Sequence, residues 1–353
     1  MQQTNPVNEL LNMLSFPAFS VAGGLVAQVN DHAAQRQIEP GIEISSLLHT
    51  GKQAYSHFTD GRLHLQLCIA KTIWNASVTR TMDTDIFLLE NAVDSQDLRM
   101  LSLAALQLRS SLAEIVLLAD KLNKDEALKD SDIPEKLNRS LLSMQRLIGN
   151  MSDAPRYSKG HNCHMQSRDM TAFVREILEK SQSLFKNAGY TLEYVLPKDA
   201  HLIMFSTDRL ERAIYNLLSN ALKFSPKGGT ISAKLEKCGD MMMFTVSDEG
   251  QGLPENMSGN IFARYLRQPG LEDSRMGMGL GMLFVCSTAS IHGGTVLIRQ
   301  PEGKGLSVTM TISSRSAEPG VVRSDIYRLD YSGGQDHALL ELSDALPAWL
   351  YKK

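Results

Sequence analysis

Between residues 98 and 122 the apolar side chains recur at alternating spacings of three and four: Leu98, Leu101, Ala105, Leu108, Leu112, Ile115, Ala119 and Leu122. Only an α-helix brings such positions to one side, and a seam of this period needs a partner helix. The same period returns in Leu137, Leu141, Met144, Ile148 and Met151, after the charged, proline-containing stretch KDEALKDSDIPEK. Two such helices on a short connection predict an antiparallel hairpin. A lone hairpin leaves much of both seams in water, so a second copy is expected to complete a four-helix bundle, making the protein a homodimer.

The chain is 353 residues long, enough for two or three domains beside this hairpin. Its 36 basic and 39 acidic residues give a formal charge of -3, which provides no bulk attraction to nucleic acid or anionic lipid. There is no uninterrupted run of about 18 apolar residues, and MQQTNPVNELLNML lacks the basic start and apolar stretch of a signal peptide. A cytoplasmic protein without membrane insertion is expected. Cys68, Cys163, Cys238 and Cys286 form no CxxC pair, and are expected to be reduced and mostly buried. His161, Cys163 and His164 cluster in HNCH with no second pair of ligands at a zinc-like spacing.

Ahead of the hairpin, FPAFSVAGGLVAQVNDHAA reads as two short strands about a Gly23-Gly24 turn, followed by a helix start at Asn30. LHLQLCIAK, IWNASVTRTM and DTDIFLLE supply further strands. This order resembles a reduced PAS domain, which implies a dimerising or small-ligand-binding unit. His32, His49, His57 and His64 read as surface or turn residues, not as haem ligands.

After the hairpin, helix and strand patterns alternate. MTAFVREILEKSQSLFKNAG is amphipathic, TLEYVL and HLIMFS read as strands, and TDRLERAIYNLLSNALKFS reads as a helix capped by Thr207 or Asp208. TISAKLEKCG, MMMFTVSDEG, TVLIRQ and LSVTMTIS add strands to one sheet with helices on one face. Four motifs are set into this region. NLLSNALKFSP places Asn216, Asn220 and Lys223 at spacings of four and three, on one face of one helix. VSDEGQGLP puts Asp248, Gly250 and Gly252 after an apolar strand, 28 residues beyond Asn220. A carboxylate there is suited to accept from an exocyclic amine, and the glycines to a tight turn. IFARYLR offers Phe262 as an anchor and Arg267 to a phosphate, and RMGMGLGM brings Gly277, Gly279, Leu280 and Gly281 to a helix N-terminus, where backbone amides favour anions.

In this order the four motifs resemble the ATP-binding domain shared by histidine kinases, gyrase, Hsp90 and MutL. The resemblance implies ATP and magnesium as cofactors, with the metal on Asn220, Lys223 near the phosphates and Asp248 on adenine. It implies an α+β chain: a PAS-like α/β domain (1–92), the helical hairpin (93–155), a GHKL-type α/β sandwich (156–316) and a C-terminal extension (317–353). ALLELSDAL in that extension is a short helix pattern, and Leu339, Leu340, Leu342, Leu346 and Trp349 are expected to dock on the ATP domain.

In histidine kinases the first hairpin helix carries a phosphoacceptor histidine followed by an acid. Here the matching stretch is Leu106-Gln107-Leu108-Arg109-Ser110-Ser111-Leu112, and no histidine occurs between residues 65 and 160. Leucine has no nucleophile and glutamine is no base. The expected protein is a sensor-kinase homologue that regulates through ATP binding and dimer conformation without phosphorylating itself. Alternatives are transfer of phosphate to a partner kinase in trans, and a non-catalytic dimeric scaffold; a response regulator is a further possible partner. ATP hydrolysis of the gyrase type is disfavoured by Asn216 where those enzymes place a glutamate base.

Overall fold

The computed structural model of the chain describes residues 11–14, 16–81, 84–89, 95–122, 131–158, 163–252, 280–301, 305–314 and 336–352. Strands β1 (Ala18–Ala22) and β2 (Leu25–Val29) pair antiparallel about the Gly23-Gly24 turn. Asn30 then caps the short helix α1 (Asp31–Ala34): its Oδ1 accepts from Ala33 N and Ala18 N, and its amide donates to Leu11 O and Phe16 O. This single buried amide closes both a helix start and the mouth of a hairpin. After α2 (Ile44–Leu47) and α3 (Lys52–Ser56) come β3 (Arg62–Ile69), β4 (Thr72–Thr81) and β5 (Thr84–Leu89), giving an antiparallel order β2-β1-β5-β4-β3. Phe19 and Phe87 stack at 4.8 Å in the core that this sheet forms with Ile38, Ile44 and Phe58.

Helices α4 (Ser95–Leu122) and α5 (Ile133–Ser158) form the antiparallel hairpin. Ala105, Leu112, Val116 and Ala119 pack on Leu137, Leu141, Ile148 and Met151. From Ala105 to Leu122 only alternate members of the expected α4 seam face α5, while Leu101 packs partly buried against the Tyr157 and Phe284 cluster. Ala105, Leu112 and Ala119 are buried, while Leu108, Ile115 and Leu122 are 46%, 41% and 46% exposed. Each set repeats every seven residues, so they lie side by side on α4, one facing α5 and the other outward. Their presence on two sides makes Met100–Leu122, by length and composition alone, apolar enough to cross a membrane.

α5 runs through Pro155 to Ser158, so a domain boundary at 155 falls within a helix. Tyr157 holds the last turn by an edge contact with Phe284 at 4.5 Å, and its carbonyl accepts from Ser287 Oγ.

The remaining elements are β6 (Gln166–Asp169), α6 (Met170–Asn187), β7 (Thr191–Val195), β8 (Leu202–Phe205), α7 (Thr207–Phe224), β9 (Thr230–Cys238), β10 (Met241–Ser247), α8 (Leu280–Ile291), β11 (Val296–Arg299) and β12 (Ser307–Ser313). Strands β11-β12-β10-β9-β7 form a sheet, with β7 parallel to β9 and the other pairs antiparallel. Residues from α6, α7 and α8 form one core with this sheet. HLIMFS does not join it: β8 pairs with β6 in a separate two-stranded ribbon. The cap of α7 is Ser206, one residue before the expected Thr207 or Asp208, because Ser206 is still extended and its N–H is taken by His292 Nε2.

The two sheets are continuous. β3 pairs antiparallel with β11 through Arg62↔Ile298, Leu63↔Leu297 and His64↔Val296, making ten strands. Gly61 is needed at this seam, since it adopts φ +87° and a Cβ would collide with Ile298 O. Asp60 and Arg299 pair beside it at 3.2 Å. The junction also buries His64, correcting its reading as a surface residue. Among the cysteines only Cys286 is buried; the other three are exposed or half-buried, because Cys68 and Cys238 stand on strand faces outside the cores.

The C-terminal segment folds back as α9 (His337–Glu341) and a 3-10 turn (Ala348–Tyr351). Leu340, Leu342 and Leu346 are buried, Leu339 partly so, but Trp349 is 60% exposed. Docking reaches α5 as well as the ATP-type domain: Asn138 Nδ2 donates to Tyr351 O, and Arg139 Nε and Ser143 Oγ both donate to Ser343 O.

Candidate nucleotide site

α7 is the element around which the candidate residues gather. Its buried face packs into the core through Leu210, Ile214, Leu217 and Leu218, so the polar positions of NLLSNALKF emerge on the other side. Asn220 is half-buried there, an oxygen donor of the kind a magnesium ion accepts alongside phosphate and water.

Asn216, one turn earlier, is 2% exposed and engaged by the hairpin: its Oδ1 accepts from Arg146 Nη2 of α5 at 3.1 Å. Its own amide donates to Arg212 O at 2.8 Å. Asn216 thus holds the hairpin in this structure.

Lys223 is nearly buried and pairs with Asp344 of the C-terminal segment. Asp344 also pairs with Arg146 Nη1, and its Oδ1 accepts from Ser219 Oγ at 2.9 Å. Burial alone would raise this carboxyl, but Arg146 and Lys223 together hold it below the usual carboxylate range. Sequence reasoning did not find Ser219, Arg146 or Asp344. Each is an ordinary polar residue in its local pattern, and only the fold brings them together.

Asp248 ends β10. Its Oδ1 accepts from Gly250 N at 2.9 Å and Leu306 N at 3.3 Å, so both bonds orient the carboxylate through one oxygen and leave Oδ2 for another donor. Burial pushes its carboxyl up, against the opposite pull of those two N–H bonds. The turn abuts the end of α7, for a Cβ on Gly250 would lie 2.6 Å from Phe224 O. Gly252 follows with φ +73°.

At the start of α8, Leu280 is buried with Tyr157, Phe284 and Ala154. Gly281 comes so close to α7 that a Cβ would sit 2.9 Å from Asn216 Oδ1, so a side chain there would have to displace the Asn216 amide. Phe262, Arg267, Gly277 and Gly279 lie outside the described residues. Asn216, Asn220 and Lys223 thus stand on α7 with Gly250 and Gly281 against it, and Asp248, Gly252 and Leu280 adjoin those glycines in the chain, the set being drawn from three of the four motifs.

Behind this site lies a buried charge network. Arg212 donates to Asp153 at 2.6 Å and Asn150 at 2.5 Å, and its guanidinium lies 4.4 Å from the Phe284 ring centroid. Glu341 stands between Arg146 at 3.1 Å and Arg212 at 3.7 Å. Helices α5, α7 and α9 are joined through these groups. Leu106 is 56% exposed on α4, with Gln107 exposed beside it.

Residues 206–316 match the family of histidine kinase-, DNA gyrase B- and HSP90-like ATPases. The chain is 31% identical over 195 residues to Sensor protein KdpD of Clostridium acetobutylicum, covering 54% of this chain and 21% of that one. It is 24% identical over 239 residues to Adaptive-response sensory kinase SasA of Prochlorococcus marinus, covering 65% and 62% respectively. Full-length ShkA in complex with AMPPNP shares the fold at a TM-score of 0.50 and 19% identity, over 62% of this chain and 47% of that one. The chain spans less than two thirds of the length of each of these relatives.

Proposed function

We propose that the chain is a dimeric cytoplasmic signalling protein of the histidine kinase family, which binds ATP and responds through its helical hairpin without phosphorylating itself. The observation that carries this reading is the contrast between two places. Asp248, Asn220, Lys223 and the glycine turns meet at α7, while Leu106 and Gln107 occupy the positions at which the family resemblance sets an acceptor and its base. Asp248 Oδ2 is the acceptor suited to the adenine amine, and Lys223 is a cation suited to the phosphates. Asn220 would hold magnesium, whose chemistry is to neutralise phosphate charge. The opening strands, ordered β2-β1-β5-β4-β3, support the PAS-like reading of residues 1–92.

Calorimetric titration with Mg-ATP tests the site. The wild type is expected to saturate, and Asp248→Asn to bind at least about tenfold more weakly, because an amide donor would then face the adenine amine. No saturable binding by the wild type would leave a dimeric scaffold in its place.

The outward set Leu108, Ile115 and Leu122, together with Met144 and Leu147 of α5, supports a second copy of the hairpin as its cover. Arg109 and Glu114 lie within the same helix and would each be costly in a lipid core, which favours a partner helix over a bilayer. Leu108→Glu with Ile115→Glu is expected to convert a dimer into a monomer by light scattering. An unchanged mass would move the dimer contact elsewhere.

A further inference from the structure

We propose that the Asp344 carboxylate occupies the anion position of the nucleotide site, so that the C-terminal segment competes with ATP phosphate for Lys223. This inference rests on the ATP-site reading of α7 and adds a regulator to it.

Three donors converge on Asp344. Lys223 Nζ and Arg146 Nη1 take Oδ2, and Ser219 Oγ donates to Oδ1 at 2.9 Å. Two cations and a hydroxyl around one carboxylate form an anion site in miniature, and phosphate oxygens are bound by the same groups. Lys223 is the residue of this set that belongs to the nucleotide motif, and it lies one turn beyond Asn220 on the same helix. A lysine ammonium engaged by this half-buried carboxylate is not available to phosphate, so the two uses exclude one another.

The segment that carries Asp344 is secured independently of that contact. Leu340, Leu342, Leu346 and Tyr351 are buried, and the carbonyls of Ser343 and Tyr351 accept from Arg139, Ser143 and Asn138 of α5. The anchor is on the hairpin and the carboxylate reaches across to α7. Release would have a direct consequence, because Arg146 holds Asp344 and Asn216 at once. Nucleotide that displaces Asp344 frees one side of an arginine linking the hairpin to α7, and the occupancy of the site is thereby felt by the bundle. Since only the undocked state offers Lys223, the apparent affinity for ATP is lowered by the fraction of chains that are docked.

The test is calorimetry with Mg-ATP and with adenosine on the full chain and on Asp344→Asn, joined to hydrogen exchange of residues 336–352 in the wild type. Asparagine keeps the shape and the Ser219 bond but removes the competing charge. The variant is expected to bind ATP at least about tenfold more tightly and adenosine equally well, and saturating ATP is expected to speed exchange across 336–352 in the wild type. Equal ATP affinities, or an equal gain for adenosine, would overturn the competition while leaving the nucleotide site intact. So would wild-type exchange that is unmoved by saturating ATP, a result that stands even if the variant is unstable. Absence of ATP binding in both proteins would instead remove the nucleotide reading, and the inference with it.

Discussion

Glu341→Ala is expected to destabilise the docked C-terminal segment by about 3 kcal/mol, within the range of about 3–5 kcal/mol for a buried ion pair that loses one partner. Glu341 is 1% exposed and stands between two guanidiniums, Arg146 at 3.1 Å and Arg212 at 3.7 Å. Alanine removes the charge and keeps the burial. Arg212 retains Asp153 and Asn150, and Arg146 retains Asp344 and Asn216, yet two buried cations are then left without the carboxylate between them. Detachment relieves this, because water replaces the carboxylate once α9 leaves, and the free energy of docking therefore limits the loss. The expected signature is local: hydrogen exchange quickens at 336–352 and in the middle of α5, with the sheet core protected as before. Glu341→Gln, which keeps an acceptor without the charge, is expected to fall between. Wild-type exchange rates in the alanine variant would show that the network contributes nothing to docking. Because Asp344 departs with the same segment, Glu341→Ala is also expected to raise ATP affinity.

Much of this architecture was legible in local pattern, and what was not legible is long-range. Asn30 was readable as a helix start because an Asx cap is a property of neighbouring residues. The motifs of α7 and the Asp248 turn were readable because their chemistry needs particular side chains at short spacings. The seam of α4 was readable as a helix, but period alone does not distribute Leu108 and Leu112 between an intramolecular and an outward neighbour. The β3 to β11 junction uses main-chain hydrogen bonds, for which almost any side chain serves, and Gly61 is its only local trace. The Lys223 to Asp344 pair joins residues 121 apart, and nothing near Asp344 distinguishes it from a solvated acid. Extended Ser206 shifted the α7 cap by one residue because its N–H already had a tertiary partner in His292.

That same partner makes stability sensitive to acid. His292 Nε2 accepts the Ser206 N–H at 2.9 Å, while Nδ1 donates to Thr288 O at 2.6 Å, so the neutral ring with its proton on Nδ1 satisfies both neighbours. A second proton on Nε2 would point at an N–H donor. Burial chiefly, with the nearby Arg209 charge, lowers the imidazole to about 4, against the smaller upward pull of Thr288 O. In the unfolded chain the ring titrates near 6.5. Above that value neither state carries the proton and the contribution to stability is fully present. Between about 6.5 and 4 the unfolded chain takes up the proton and the folded one does not, so stability falls with pH, by about 3 kcal/mol across the window. Below about 4 both states are protonated and this dependence ends. In His292→Gln the amide oxygen can take the Ser206 bond without titrating. Subtracting its denaturation free energies from those of the wild type at successive pH values isolates the imidazole from the carboxylates. The difference is expected to shrink steadily from pH 6.5 to 4 and to level off below; a difference that is flat across that window would mean that His292 is protonated in the folded protein, and that the Ser206 N–H cap bond is not made to its ring.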